Sequence, residues 1–287
     1  MGGQVKVTFW GTRGSLATPG RDYERYGGNT SCVEVRSEDG TVLVLDAGTG
    51  IRALGNRLAG TVRRVDLLLS HLHMDHIQGL GFFTPLYIPH VEVHIWGPAS
   101  TTQSLRGRLS RYLSPPLFPV RLRDLPCHLA VHEIPSSTFH IGELTVQSLL
   151  VCHPGPTVGF RVSSPRGSLA YIPDHEPALG RTGPLGPPEW VSGYDLAAGV
   201  DLLIHDAQYS SAEYQRTIGW GHSTIDQAIE FAALADVHRL VLFHHDPAHD
   251  DKAIDNLHAA AVAKAAPRFP VLAAAEGTTL EVPGTSQ

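Results

Sequence analysis

Short apolar segments separated by polar, glycine-rich turns dominate the first part of the chain. Val5–Phe9, Cys32–Arg36 and Val42–Asp46 are rich in β-branched residues, which predicts three strands. The apolar residues of Ile51–Leu58 have helical spacing. Val65–Ser70 is a continuous apolar run, typical of a strand buried on both faces. The pattern therefore predicts hairpins first, and then an alternation of strand and helix.

The rest of the chain continues this alternation. Further strands are predicted at Val91–Trp96, Leu144–Cys152, Val158–Ser163, Leu169–Pro173, Leu202–Asp206 and Leu240–Phe243, and further helices at Thr101–Leu113, Thr224–Ala235 and Ala253–Ala265. Strands this apolar need cover on both faces, which two sheets packed face to face with helices outside provide. No break in composition marks a linker, so we expect an α/β protein with a single domain over residues 1–287.

Composition and charge narrow the class of protein. Of the 287 residues, 42% are hydrophobic and 17% charged, and no apolar run approaches the roughly 18 residues that a membrane span needs. The net charge is −6 and the basic residues are scattered, which does not favour nucleic acid as a partner. Three widely spaced cysteines form no disulfide framework, and Met1–Trp10 lacks the pattern of a signal peptide. We therefore expect a cytoplasmic protein with no membrane partner.

The 17 histidines are the anomaly in this composition, because histidine is the commonest metal ligand. The strand at Val65–Ser70 runs directly into the segment His71-Leu72-His73-Met74-Asp75-His76. Residues two apart in an extended chain point the same way, so His71 and His73 can bind one ion. Asp75 and His76 enter a turn and can face a second ion. This run therefore predicts a metal site with two ions.

Three later strands end in residues of the same kind. His153, Asp174 and His244 each directly follow a predicted strand. Open α/β architectures gather their sites at the carboxyl ends of strands. We therefore expect these three side chains to join the first four.

These seven residues, in this order, resemble the metal ligands of the metallo-β-lactamase superfamily. Four other segments resemble its ribonuclease Z-like and phosphodiesterase branch, namely Gly11–Ser15, Asp46–Gly50, Ile204–Ala207 and Gly221–Thr224. The resemblance covers nearly the whole chain. It implies a four-layer αβ/βα sandwich with a dinuclear metal centre, and it also implies a homodimer.

The resemblance assigns the ligands. One metal would take His71, His73 and His153, the other would take Asp75, His76 and His244, and Asp174 would bridge them. His245 directly follows His244 and is an alternative candidate for the same ligand position, although the branch pattern favours His244. His249 is expected at the surface or just outside the ligands. This nitrogen and oxygen set suits two zinc ions, with manganese or iron as alternatives.

Two such ions, roughly 3.5 to 4 Å apart, would hold a hydroxide between them as the nucleophile. The leaving group still needs a proton, and His222 stands just before a predicted helix whose N-terminus would attract a phosphate. In the ribonuclease Z-like branch, the histidine of this Gly-His-Ser motif pairs with the acid after the preceding strand, which is Asp206 here. The resemblance thus implies that His222 is the general acid, kept protonated by Asp206. The alternative is that His222 only packs at the helix N-terminus.

Other segments receive simpler interpretations. Asp46 ends a strand and is expected to support the ligand loop by hydrogen bonds. Gly11–Ser15 lacks the ending of a P-loop and is interpreted as a turn at the rim of the pocket. Residues 114–130 are a candidate lid or contact segment, and residues 175–200 a candidate loop near the site.

The substrate class follows from where the chain departs from its relatives. His153 and Asp174 are only 21 residues apart, whereas ribonuclease Z has its long tRNA-binding arm between these positions. This spacing does not favour tRNA processing, and the resembling branch, which includes cyclic-nucleotide phosphodiesterases, implies a phosphodiesterase acting on a small phosphodiester such as a cyclic nucleotide. Asp75, Asp206 and His222 are its expected catalytic residues. The alternatives are a ribonuclease Z-like RNA-processing nuclease, a thioester hydrolase of the glyoxalase II type, and a metal-stabilised binding or sensor module.

Overall fold

The computed structural model describes residues 5–177, 179 and 185–282. Its strands are β1 (Val5–Gly11), β2 (Cys32–Arg36), β3 (Val42–Leu45), β4 (Arg64–Leu68), β5 (Glu92–Pro98), β6 (His128–Ile134), β7 (Ser137–Ile141), β8 (Leu144–Leu150), β9 (Val158–Ser164), β10 (Gly167–Ile172), β11 (Leu202–Asp206), β12 (Leu240–Phe243), β13 (Val271–Ala273) and β14 (Thr279–Val282). Its α-helices are α1 (Ile51–Leu58), α2 (Met74–Ile77), α3 (Leu105–Tyr112), α4 (Tyr194–Ala197), α5 (Ser211–Tyr214), α6 (Ile225–Leu234) and α7 (Asp251–Ala265).

The strands form two mixed sheets that pack face to face. The first has the order β14-β1-β2-β3-β4-β5-β6 and the second the order β13-β12-β11-β10-β9-β8-β7. Phe9 of β1 meets Phe243 of β12 between the sheets, with ring centroids 6.2 Å apart. Helices α1 and α3 cover the outer face of the first sheet, and α4, α6 and α7 that of the second. The expected four-layer αβ/βα sandwich is confirmed.

Parallel pairing fixes where the functional residues lie. The strands β3, β4, β5 and β6 pair in parallel, as do β10, β11, β12 and β13. Their carboxyl ends therefore meet at one edge of each sheet. The chain leaves β4 toward His71, β10 toward Asp174 and β12 toward His244, so the two sheets bring these residues to one end of the sandwich.

The structure corrects several predicted elements. The helix predicted at Thr101–Leu113 begins at Leu105, because Ser104 caps it through a hydrogen bond from the amide of Gly107. The strand predicted at Val65–Ser70 ends at Leu68, where the chain turns toward the ligands. Strands β6, β7, β13 and β14 were not predicted. Most of their residues are only partly buried, so they lack the continuous apolar run that marked the central strands.

Residues 114–130 and 175–200 were singled out in the sequence as a candidate lid or contact segment and as a candidate loop near the site. Within residues 114–130, Phe118 and Leu122 are buried with the helices over the first sheet, whereas Leu117 is 70% exposed. The lid role of this segment stays a prediction. Of the loop 175–200, residues 178 and 180–184 lie outside the described residues. No helix in the described ranges is long and apolar enough to cross a membrane.

Candidate metal centre and its cavity

The candidate ligands form two groups that share Asp174. One group consists of His71, His73, His153 and Asp174, and the other of Asp75, His76, Asp174 and His244. The ligand atoms within each group lie within 4.8 Å of one another. All seven residues predicted from the sequence as ligands are therefore brought together.

The first group surrounds one oxygen of Asp174. Asp174 Oδ2 lies 3.6 Å from His71 Nε2 and 3.7 Å from His153 Nε2. His73 completes the group through Nδ1, which is 3.2 Å from His153 Nε2. His73 is exposed, so this group faces solvent on one side.

The second group surrounds the other oxygen. Asp174 Oδ1 lies 3.0 Å from His76 Nε2 and 3.4 Å from His244 Nε2. Asp75 Oδ2 is 3.1 Å from His244 Nε2 and 3.3 Å from His76 Nε2. Each oxygen of Asp174 faces a different group, which is the position that a bridging carboxylate would take if both groups held an ion.

Unsatisfied buried atoms show that these residues fit metal ions. His71 Nε2 is buried and has no hydrogen-bond partner among the described residues. Asp174 Oδ1 is also buried without a hydrogen bond of good geometry. Such atoms are costly unless a ligand satisfies them. Nitrogen and carboxylate donors at this spacing suit a divalent ion such as zinc.

Asp46 supports the second group, as expected from the sequence. Its Oδ2 lies 2.8 Å from His76 Nδ1 and accepts a hydrogen bond of 2.8 Å from the hydroxyl of Tyr171. Its Oδ1 accepts the amide of Ser70 at 2.7 Å. A carboxylate behind a metal-binding histidine fixes the ring and makes it more basic. Asp46 has a positive φ of 61°, which lets the chain turn its carboxylate toward the cluster.

The loop Gly11–Ser15 also supports the second group. The amide of Ser15 donates to Asp75 Oδ2 at 2.7 Å. A Cβ atom at Gly14 would lie 2.3 Å from the ring of His244, so only glycine leaves room for this histidine. The loop predicted to rim the pocket therefore positions two candidate ligands.

The structure separates the three histidines near the end of β12. His244 has a positive φ of 62°, and its Nδ1 lies 2.9 Å from Gln208 Oε1, so Nε2 points into the cluster. His245 turns the other way and its Nε2 donates to the carbonyl of Ala274 at 2.9 Å. His249 lies outside the cluster and contacts Glu213.

Asp206 and His222 form the expected pair. Asp206 Oδ2 is 2.7 Å from His222 Nδ1, and the amides of His175 and Gln208 hold the carboxylate in place. Burial lowers the pKa of His222, but the charge of Asp206 outweighs it and raises this pKa to about 9. Thr224 and Gln227 form a capping box at the start of α6, which begins three residues after this histidine.

A cavity of about 450 Å³ opens beside the cluster. It is lined by Ser15, Gln208, Tyr209, Glu213, Arg216, Thr217, Trp220, His222 and Asp246. Ser15 and Gln208 hydrogen-bond candidate ligands, so the cavity adjoins the centre. A second cavity of about 400 Å³, near Arg36 and Arg64, contains none of the cluster residues.

Three supporting residues escaped the sequence analysis: Tyr171, Gln208 and Glu176. Tyr171 donates to Asp46, and Gln208 orients His244. Glu176 is fully buried and accepts the amides of Gly219 and Gly221. Its position two residues after Asp174 was a usable signal, because alternate residues of an extended segment point the same way.

Comparisons with known proteins place this geometry in a family. Residues 41–245 match the model of the β-lactamase superfamily domain. A ribonuclease Z from Brevibacillus brevis is 25% identical over 285 residues, which cover 86% of each chain. Human tRNase Z, short form, superposes with a TM-score of 0.68 at 23% identity, covering 97% of this chain and 99% of that one. A diphosphatase of the PhnP family also reaches 0.68, at 16% identity and 98% coverage of both chains.

Proposed function

The chain belongs to the metallo-β-lactamase superfamily, in its ribonuclease Z-like branch, and on this premise we propose that it is a metal-dependent phosphodiesterase acting on small phosphodiesters such as cyclic nucleotides. Metal-dependent hydrolysis in general is supported by the match to the β-lactamase superfamily domain and by the cluster of histidines and aspartates. The homodimer implied by the resemblance stays a prediction.

The pair of Asp206 and His222 is the observation that supports a phosphodiester as the substrate. The alkoxide leaving group of a phosphodiester needs a proton as it departs, whereas the thiolate of a thioester leaves without one. Asp206 occupies Nδ1 of His222, so Nε2 is the nitrogen that can donate this proton. His222 lines the cavity beside the candidate metal centre, where such a leaving group would lie.

Each candidate residue has a defined part in this mechanism. His71, His73 and His153 would hold one ion, Asp75, His76 and His244 the other, and Asp174 both. Bound there, zinc, or alternatively manganese or iron, would supply an activated water and neutralise the charge that builds on the phosphoryl oxygens. Asp206 keeps His222 protonated and fixes its ring, and His222 protonates the leaving oxygen. Asp75, held by the amide of Ser15, keeps the second group together during turnover.

RNA processing is the second candidate. The relatives named ribonuclease Z favour it, and they do not support the prediction from net charge that nucleic acid is not a partner. Against it, the described residues between His153 and Asp174 form the β9–β10 hairpin and no long arm. We therefore place the small phosphodiester first.

A substrate panel tests the proposal. We expect the zinc- or manganese-loaded protein to hydrolyse 3′,5′- or 2′,3′-cyclic nucleotides and a bis-aryl phosphate. His222→Ala should keep its metals but lose about 100-fold or more in kcat on cyclic nucleotides, whose leaving groups are poor. The loss should be smaller on the bis-aryl phosphate, because a phenolate leaves with less help.

The chain offers a matched control. His238 also pairs with an aspartate, Asp201, at 3.2 Å, but it is exposed and remote from the cluster residues. His238→Ala should leave all rates unchanged. If the protein hydrolyses an acyl-glutathione but no phosphodiester, and His222→Ala keeps that activity, the protein is a thioesterase and the proposal is wrong. Cleavage of a tRNA precursor alone would replace it by RNA processing.

A further inference from the structure

A tryptophan on the wall of the cavity is left largely uncovered by the described residues. Trp220 is 61% exposed, although it lies only two residues before His222 and lines the same cavity. Exposing an indole ring to water is unfavourable, and aromatic rings of this kind often pack against a ligand.

The backbone on both sides of this ring is held firmly. The buried carboxylate of Glu176 accepts the amide of Gly219 at 3.1 Å and the amide of Gly221 at 3.0 Å. The carbonyl of Gly221 in turn lies 2.8 Å from Nδ1 of His153, a candidate metal ligand. The backbone at Trp220 is thus positioned relative to the candidate metal centre before any ligand arrives, so binding needs less ordering of this segment.

The wall of the cavity carries both acidic and basic side chains. Glu213 accepts hydrogen bonds from the amide of Ser210 and contacts His249, and Asp246 accepts the amide of Ala248. These two carboxylates are therefore satisfied within the protein. Arg216, four residues before Trp220, is exposed and forms no salt bridge with any described residue. A guanidinium and an indole ring that line one cavity suit a nucleobase, because both groups can stack on its flat face.

We propose that Trp220 and Arg216 form a nucleobase subsite, in which the base of a nucleoside phosphodiester stacks on the indole ring while its phosphodiester lies at the candidate metal centre. The proposal rests on the phosphodiesterase function above and narrows its substrate class to nucleotides. Stacking is available to every base, so the subsite recognises a nucleobase without selecting one sequence. The base can belong to a free cyclic nucleotide or to the last nucleotide of an RNA strand.

Tryptophan fluorescence tests the subsite without requiring turnover. Adenosine 5′-monophosphate added to the metal-loaded full chain should quench the fluorescence, and ribose 5-phosphate, which lacks the base, should not. Trp220→Leu should abolish this quenching. Trp190→Leu is the matched control, because Trp190 is 80% exposed but does not line the cavity, and this variant should keep the response.

Kinetics supply the second readout. Trp220→Ala should raise KM for a cyclic nucleotide on the order of tenfold, as expected for the loss of one stacked base, with little change in kcat. Trp220→Phe should restore most of the affinity, because a phenyl ring also stacks. Arg216→Gln should raise KM as well, by a smaller factor.

The outcomes separate this proposal from the function on which it rests. Quenching by an oligoribonucleotide but not by the mononucleotide would assign the subsite to an RNA end. Base-dependent quenching without hydrolysis of any phosphodiester would keep the subsite and overturn the phosphodiesterase. Equal binding of both probes, or no effect of Trp220→Leu, would overturn the subsite even if cyclic nucleotides are hydrolysed.

Discussion

The two halves of the candidate metal centre share Asp174 but differ in how the rest of the protein supports them. In the first half, His73 is exposed, and His71 and His153 have only neutral partners behind their rings, the hydroxyl of Ser70 and the carbonyl of Gly221. In the second half, all four residues are buried. There, the carboxylate of Asp46 lies directly behind His76.

This difference changes the electrostatics of the two rings. Burial lowers the pKa of His71 well below its usual 6.5. Burial also acts on His76, but the carboxylates of Asp174, Asp75 and Asp46 outweigh it and raise the pKa of His76 well above that value. The second half is therefore the more anionic and more rigid environment for a cation. We expect it to hold its ion more tightly than the first half.

The largest expected effect comes from the residue that the halves share. Asp174→Asn removes the charge of the bridge at constant size, so both halves should lose affinity and kcat should fall by at least about 1,000-fold as the activation of water is lost. Metal analysis of the purified variant should find clearly less than the wild-type content, and circular dichroism should show an unchanged fold. Full metal content with normal turnover would contradict the bridging position.

A smaller effect should separate the halves. Asp46→Asn removes the carboxylate behind His76, and loss of such a partner lowers metal affinity by about 10- to 100-fold. A competition titration with a chelator should show the larger loss for the ion of the second half, because Asp46 contacts His76 directly and reaches His71 only through the hydroxyl of Ser70. Equal weakening of both ions would show that the halves are not supported separately.

The smallest effect should appear in stability. Tyr171→Phe removes one buried hydrogen bond to Asp46, and the metal-free protein should lose about 1 kcal/mol in its free energy of unfolding. Urea unfolding measures this loss. Tyr112→Phe is the control, since its hydroxyl donates to the carbonyl of Gln78 at the surface, and its loss should be smaller. If both variants lose the same free energy of unfolding, the buried hydrogen bond from Tyr171 to Asp46 stabilises the protein no more than the exposed hydrogen bond of Tyr112.

Much of the first half could be predicted because its pattern is local. His71 and His73 are two residues apart after an apolar strand, and that spacing alone places them side by side. His153 and Asp174 were reached through the rule that strand ends gather functional residues, which parallel pairing in the second sheet then satisfied. Asp206 and His222 were identified from a resemblance rather than from spacing.

Asp46 was expected from the sequence to support the ligand loop, but its partners and the other supports of the second half could not be predicted in the same way. Asp46 and Tyr171 are 125 positions apart in the sequence. Gly14, which leaves room for the ring of His244, lies near the opposite end of the chain from that histidine. These contacts exist only once the sheets have packed, and no periodicity in the sequence marks them. The same holds for Glu176, which the sequence places near the site but does not connect to the loop before His222.

The sequence by itself determined the central strands, their apolar character and the kinds of side chain that follow them, because these depend on local periodicity and the chemistry of each residue. Only the tertiary structure decided between His244 and His245. The two are neighbours with the same side chain, and what separates them is a positive φ at the first and the carbonyl of Ala274 that receives the second. A choice between chemically identical neighbours depends on backbone direction and on partners far away in the chain, and packing alone fixes both.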